Sequence, residues 1–327
     1  MKKMISLIAA ILMLVSLTAC GADPAQTPTG YSENYKVAIV QQLDHSSLDE
    51  IRTAVEAQLK ALAEANGVGI VIHHYNGQND ASVLNQIGTQ VVSENFDMII
   101  PIATTAAQCM VTAAEGTDIP VIYAAVSDPE TAGLTDIANV TGVSDALNTA
   151  FILDMMLAVQ PDVQTVGLLY SNSEPNSETP IAQAKEYLDS KGIAYTEKTG
   201  TTSGEVIAAA SALVGQVDAV FTPTDNAIMN AEVSVAEILN EAGIPHYTGA
   251  DSFVLAGAFT TCGVNYTELG TQTADVAFDI LRGGQIGAFQ VMDGGIITVN
   301  TEVAQALNLD YSAFSGMANT VNEVTTG

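Results

Sequence analysis

Short, unbroken apolar runs alternate along this chain with longer segments whose apolar residues recur every three or four positions. The short runs read as strands covered on both faces, the longer segments as helices that bury one stripe. Val217-Asp218-Ala219-Val220-Phe221-Thr222-Pro223-Thr224-Asp225-Asn226 displays the unit most plainly. Its apolar half is a strand, and Thr224 and Asp225 are residue types that cap helices. Ile228, Val233, Val235, Ile238 and Leu239 then continue at helical spacing over 226–242. Phe96-Asp97-Met98-Ile99-Ile100-Pro101-Ile102-Ala103-Thr104-Thr105 repeats the design and opens a helix near Ala106.

Taken in order, the pattern predicts strands at 35–41, 68–74, 98–102, 120–125 and 140–143. Helices fall at 48–66, 82–94 (capped by Asp80) and 105–115. It then restarts, with strands at 163–170, 194–198, 218–222 and 245–249 and helices at 178–191, 204–214 and 226–242. Met155, Met156 and Leu157, at helical spacing, read as core. Strand-like stretches follow at 258–266 and 291–299, with helices at 269–281 and 302–307, and the tail from Phe314 reads as frayed. Alternating strands and helices imply an α/β chain with parallel sheets and right-handed crossovers. The repetition, with Ile119-Pro120 answered by Ile244-Pro245, implies two similar Rossmann-like lobes. Strand ends that meet helix N-termini are where such sheets bind ligands.

Composition sharpens the picture. A length of 327 residues suits about two domains, and 48% hydrophobic residues against 14% charged ones excludes a disordered chain. The formal net charge of −28 repels nucleic acid and anionic lipid head groups. Residues 1–19 read as an export leader: Lys2 and Lys3, an apolar stretch too short to span a bilayer comfortably, then Leu17-Thr18-Ala19-Cys20. The last four residues resemble a bacterial lipobox, which implies a diacylglyceryl thioether and a palmitate-type acyl anchor on Cys20. Residues 20–34 read as a flexible tether. Cys109 and Cys262 sit in apolar runs and read as buried thiols; whether they pair is open at this point.

Further segments carry a resemblance. They are Val37-Ala38-Ile39-Val40-Gln41 with His45 and Leu48-Asp49; Ile102-Ala103-Thr104-Thr105-Ala106-Ala107-Gln108; and Ala124-Ala125-Val126-Ser127-Asp128-Pro129. With them go Asn139-Val140-Thr141-Gly142-Val143-Ser144-Asp145; Pro223-Thr224-Asp225-Asn226; and Leu269-Gly270 with Leu281-Arg282-Gly283-Gly284. In their order and spacing the chain resembles periplasmic-binding-protein-like type I receptors of ABC importers, within them the aromatic-amino-acid (tryptophan/tyrosine-type) family. The resemblance implies two lobes joined by three crossings near Ser144, Ala258 and Gln290. The first lobe would hold 35–144 plus 259–289 and the second 145–258 plus 290–314, with 315–327 a frayed tail. It also implies a non-catalytic, exported, lipid-anchored monomer that captures a small molecule, closes over it by a hinge and delivers it to a membrane permease.

The candidate ligand-binding residues lie in the strand-end loops: Asp44, His45, Ser46, Thr104, Thr105, Ser127, Asp128, Asn172, Ser173, Asn176, Ser177, Thr224, Asp225, Asn226 and Asp251. An amino acid needs a carboxylate partner for its ammonium, for which Asp225 and Asp251 are candidates. Its own carboxylate needs hydroxyls and helix N-terminal N–H groups, from Thr104, Thr105, Ser173 or Ser177. Arg52 and Arg282, the only arginines, read as helix residues, which argues against phosphate ligands. Thr104, Ser177, Thr224 and Asp225 also read as plain caps, Asp128 and Asp251 as turn braces, and His45 as a structural loop histidine. His73, His74 and His246 read as structural, and no spacing suggests a metal or cofactor site. A nucleoside or a sugar is the alternative ligand, the sugar weakened by the absence of Trp. A secreted α/β enzyme is disfavoured, because neither a Gly-x-Ser-x-Gly elbow nor a phosphate- or dinucleotide-binding glycine loop is present.

Overall fold

The structure, a computed structural model, describes residues 34–327. The leader and the lipidation candidate Cys20 lie outside the described residues, as does the tether up to residue 33. The chain runs β1 (Asn34–Gln41), α1 (Ser46–Ala65), β2 (Gly69–Asn76), α2 (Ala81–Ser93), β3 (Met98–Ile102), α3 (Thr104–Ala113), β4 (Val121–Ala124) and β5 (Val140–Ser144). It continues with α4 (Thr149–Val159), β6 (Thr165–Tyr170), α5 (Glu178–Lys191), β7 (Ala194–Thr199), α6 (Ser203–Ser211), β8 (Ala219–Thr222), α7 (Asn226–Met229), α8 (Glu232–Glu241), β9 (His246–Thr248), α9 (Asp251–Leu255) and β10 (Thr260–Gly263). It ends with α10 (Tyr266–Leu281), β11 (Gln290–Val291), β12 (Ile296–Asn300), α11 (Thr301–Ala306) and β13 (Thr320–Val324).

Two sheets result, ordered β11-β5-β4-β3-β1-β2 and β13-β12-β10-β9-β8-β6-β7. All pairings in the first are parallel; in the second only β10–β12 is antiparallel. β3 and β8 are buried at every position, as strands covered by helices on both faces must be. The strand order reverses at β1/β3 in one sheet and at β6/β8 in the other, the switch points where such sheets leave a crevice.

The lobes are joined three times: after β5, between β10 and α10, and between β11 and β12. α10 returns to the first lobe and lies along α1. Gly270 permits this crossing, since a Cβ there would lie 2.6 Å from the Ile51 carbonyl oxygen. The second crossing falls later than Ala258, because β10 pairs with β9 and β12 and so belongs to the second lobe. The third falls past Gln290, because β11 pairs with β5. The single strand expected over 291–299 is therefore two, in different sheets, separated at Gly294 and Gly295, the latter at φ 91°.

Other expectations are corrected. The tail is not frayed: Phe314 is fully buried in the second core, and β13 pairs in parallel with β12 along an exposed edge whose sequence holds no apolar run. The helix expected over 226–242 breaks after Met229, and the break turns Glu232 inward to meet the His246 Nδ1 at 3.0 Å, both side chains fully buried. α4, which buries Ile152, Leu153, Met155 and Met156, has no place in the sequence-based element list because it is apolar nearly all round. Asp251 opens a short helix rather than a loop. Cys109 and Cys262 are both free thiols, and burial pushes the Cys262 thiol up to about 11.

Candidate functional site

The two switch points face each other. Hydrogen bonds run between the lobes from Gln42 to Glu174 (3.0 Å), His45 to Asn226 (3.0 Å), Ser47 to Ser252 (2.5 Å), Ser127 to Thr224 (3.2 Å) and Thr179 to Asp128 (2.7 Å). These bonds draw the lobes together over a cavity of about 20 Å³, room for about one water. Leu48, Ala103, Ala125, Met229, Ala250 and Phe253 form its apolar wall. His45, Ser47, Thr104, Ser127, Asp145, Asn176, Thr224, Asp225, Asn226 and Tyr266 form its polar wall.

Backbone geometry at two strand ends shapes the first-lobe side. Ala103 ends β3 at φ 78°, ψ 161° and Ala125 follows β4 at φ 54°, positions ordinarily left to glycine. The turn at Ala103 starts α3, whose first N–H groups have no intrahelical acceptor and whose N-terminal residues Ala103 and Thr104 line the cavity. Thr104 Oγ1, on a residue 2% exposed, has no hydrogen-bond partner. On the opposite wall Asn176 donates through Nδ2 to the Thr224 carbonyl (2.6 Å), leaving a buried Oδ1 unpartnered. His45 Nδ1 is the third unpartnered atom in this lining.

Two carboxylates reach the cavity, and they differ. Asp225 caps α7 by accepting from the Ile228 N–H (3.0 Å), and it also accepts from the Ser171 N–H (2.7 Å) and the Ser177 hydroxyl (2.7 Å). It is fully buried and committed to its own lobe. Asp145, on the first crossing, accepts from the Ser127 hydroxyl (3.0 Å), from its own backbone N–H and, at the longer 3.3 Å, from the Tyr266 hydroxyl. Burial raises its carboxyl above the usual range. Asp145 and Tyr266 also line a groove of about 540 Å³ on the crossing side, walled in addition by Phe151, Gly263, Gly295 and Met317.

Of the sequence-based candidates, His45, Thr104, Ser127, Asn176, Thr224, Asp225 and Asn226 are brought together around the cavity. Asp44, Ser46, Asn172 and Ser173 are exposed and lie outside its lining. Thr105, with a buried unpartnered hydroxyl, is also outside it. Asp128 braces a turn through Thr131 and clasps Thr179 across the cleft, and Ser177 serves Asp225. Asp251, raised by burial and by the Glu50 carboxylate, stands beside the cavity rather than in its lining. Sequence reasoning missed Asp145, Tyr266, Ser47, the apolar wall and Glu174. Glu174 is 2% exposed and bonded to both Gln42 and Asn226.

Two parallel-sheeted lobes, three crossings and a polar cleft at both switch points define a type I periplasmic binding protein. Residues 36–315 match the model of the ABC transporter substrate binding protein family, and the chain belongs to that family. Its members are the extracytoplasmic capture components of ABC transporters, working with a membrane permease rather than as enzymes. A "Tyrosine-binding protein" of Clostridioides difficile (strain R20291) is 32% identical over 94% of this chain and 93% of its own. The ABC domain from Streptococcus pneumonia in complex with L-Trp is 28% identical, with a TM-score of 0.82 over 88% of this chain and 100% of that one. A ligand-free, open substrate-binding protein with adhesive properties from Clostridium difficile is 32% identical, with a TM-score of 0.67 over 90% of this chain and 100% of that one. The more distant sequence superposes better, in keeping with lobes that are drawn together here.

Proposed function

We propose that this protein captures a free aromatic amino acid of the tyrosine or tryptophan type in the inter-lobe cleft. The carrying observation is that one cavity wall presents uncommitted acceptors and donors together. Its acceptors are the Asp145 carboxylate, Asn176 Oδ1 and His45 Nδ1, suited to an ammonium group. Its donors are the first N–H groups of α3 with the Thr104 hydroxyl, suited to a carboxylate. Leu48, Met229 and Phe253 offer the apolar surface for a side chain, with Phe253 the aromatic among them. Asp145 replaces Asp225 and Asp251 as the ammonium partner, because Asp225 is held by its own lobe and Asp251 stands outside the lining. The binding preferences named for the Clostridioides and streptococcal relatives support the aromatic assignment.

Capture proceeds by the lobes parting at the crossings, ligand docking at the switch points, and reclosure. The lipobox supports an anchor on Cys20, the sequence from 21 to 33 serving as a tether that holds a monomer at the outer face of the cell membrane. Thermal-shift titration of residues 34–327 tests the ligand reading. Tyrosine, tryptophan or phenylalanine at roughly 100 times its Kd adds about 2.7 kcal/mol of stability. Asp145→Asn lowers that affinity at least about tenfold. A shift with a nucleoside or sugar alone would overturn the amino-acid reading.

A further inference from the structure

The hydrogen bonds around Glu174 form a chain that leaves the first lobe and returns to it. Gln42 Nε2, beyond β1, donates to Glu174 Oε1 (3.0 Å), and Asn226 Nδ2 donates to Oε2 (2.8 Å). Asn226 Oδ1 meets His45 Nε2 at 3.0 Å. An amide presents NH₂ on one side and oxygen on the other. Glu174, by taking the NH₂, therefore decides that the oxygen faces His45, and that oxygen requires a hydrogen on Nε2. Burial holds the His45 pKa below its ordinary value, so the neutral ring carries no second hydrogen. Nδ1 is left as a bare lone pair, buried and unpartnered in the cavity lining.

We propose that Glu174 is a positioning residue that, through Asn226, locks His45 in the Nε2–H tautomer and makes Nδ1 an acceptor selecting ligands that present an N–H group. Because the chain of bonds spans both lobes, the selection is exerted on closure. The proposal rests on the amino-acid reading in taking that N–H to be the ligand's ammonium.

Protonation of Glu174 leaves the wiring intact. Gln42 Oε1 is buried without a partner, and turning that amide over brings it to a proton on Glu174 Oε1; the exposed Asn79, which accepts from Gln42, turns with it. Glu174→Gln reproduces this state. Glu174→Leu leaves nothing to orient Asn226. Asp225, the other carboxylate acting on Glu174, is held by Ser171, Ser177 and Ile228 and does not substitute.

The test titrates wild type, Glu174→Gln and Glu174→Leu with tyrosine and with 3-(4-hydroxyphenyl)propanoate, which keeps the ring and carboxylate but lacks the ammonium. Nitrogen NMR reads the His45 tautomer in the wild-type protein with and without tyrosine. Glu174→Leu weakens tyrosine at least about tenfold and the desamino acid by less than about threefold, while Glu174→Gln restores tyrosine to within about threefold. His45 in the wild type carries its hydrogen on Nε2. An Nδ1–H tautomer, or equal weakening of both ligands by Glu174→Leu, overturns the proposal. If Glu174→Leu does not fold, or if tyrosine does not bind the wild type, the tautomer alone decides. Loss of tyrosine binding in the wild type would refute the amino-acid reading, and an Nε2–H signal would still uphold the wiring.

Discussion

Ala103 holds a backbone conformation that a side chain normally forbids, and the surroundings enforce it from both sides. Its N–H donates to the Ala124 carbonyl (3.0 Å) and its own carbonyl accepts from the Ala107 N–H (3.0 Å). Such strain costs on the order of 1–3 kcal/mol. Glycine would shed it and give back about 0.5–1 kcal/mol in unfolded-state entropy. Ala103→Gly is therefore expected to stabilise the protein by about 1 kcal/mol in urea denaturation, against the usual direction for that substitution. A destabilisation of that size would show that the turn is relaxed. Polar residues at strand ends were legible in sequence because caps and ligand groups are drawn from the same types, which located Thr104, Thr224 and Asn226. The same overlap picked out Asp225, which reaches the cavity but whose oxygens its own lobe engages. Asp145 and Glu174 were illegible for another reason: they sit in loops that read as solvated, and the other lobe or the hinge buries them.

Helix α10 depends on one missing side chain. A Cβ at Gly270 would stand 2.6 Å from the Ile51 carbonyl oxygen and 2.7 Å from the Ala54 Cβ, so α1 and α10 approach through bare backbone. Gly270→Val is expected to push the pair apart and cost about 2 kcal/mol or more, read as a lower denaturation midpoint. An unchanged midpoint would mean that the crossing yields freely. Periodicity located most helices and strands here, and Asp80 caps α2 as expected, accepting from the Ser82 and Val83 N–H groups. It failed where an element answers to a distant partner. α7 and α8 part so that Glu232 reaches His246, and β11 and β12 divide one strand-like stretch between two sheets. β13, short and without an apolar run, is held in place by β12.

For the molecule as a whole, closure carries a proton account. Burial, and then the nearby Asp225 carboxylate, push Glu174 up to about 8 from the ordinary 4.5. The native protein therefore keeps a proton that the unfolded chain releases near 4.5. The resulting stability is full below pH 4.5 and is lost as pH rises towards about 8. Wild type is expected to lose more melting temperature between pH 6.5 and 8.5 than Glu174→Gln, in a window above the ordinary titration of His45. Parallel profiles would place the titrating group elsewhere. The three crossings have a further consequence, for the order of assembly. Glu50 on α1 is bonded to Thr267, and Gln58 to Asp275, each pair 217 positions apart in the chain. The first lobe cannot complete its core until nearly all of the second has been synthesised. Such long-range closure slows folding. In a protein of an extracytoplasmic family, this delay keeps the polypeptide threadable until it has left the cytoplasm, so the hinge that later times ligand capture first times folding itself.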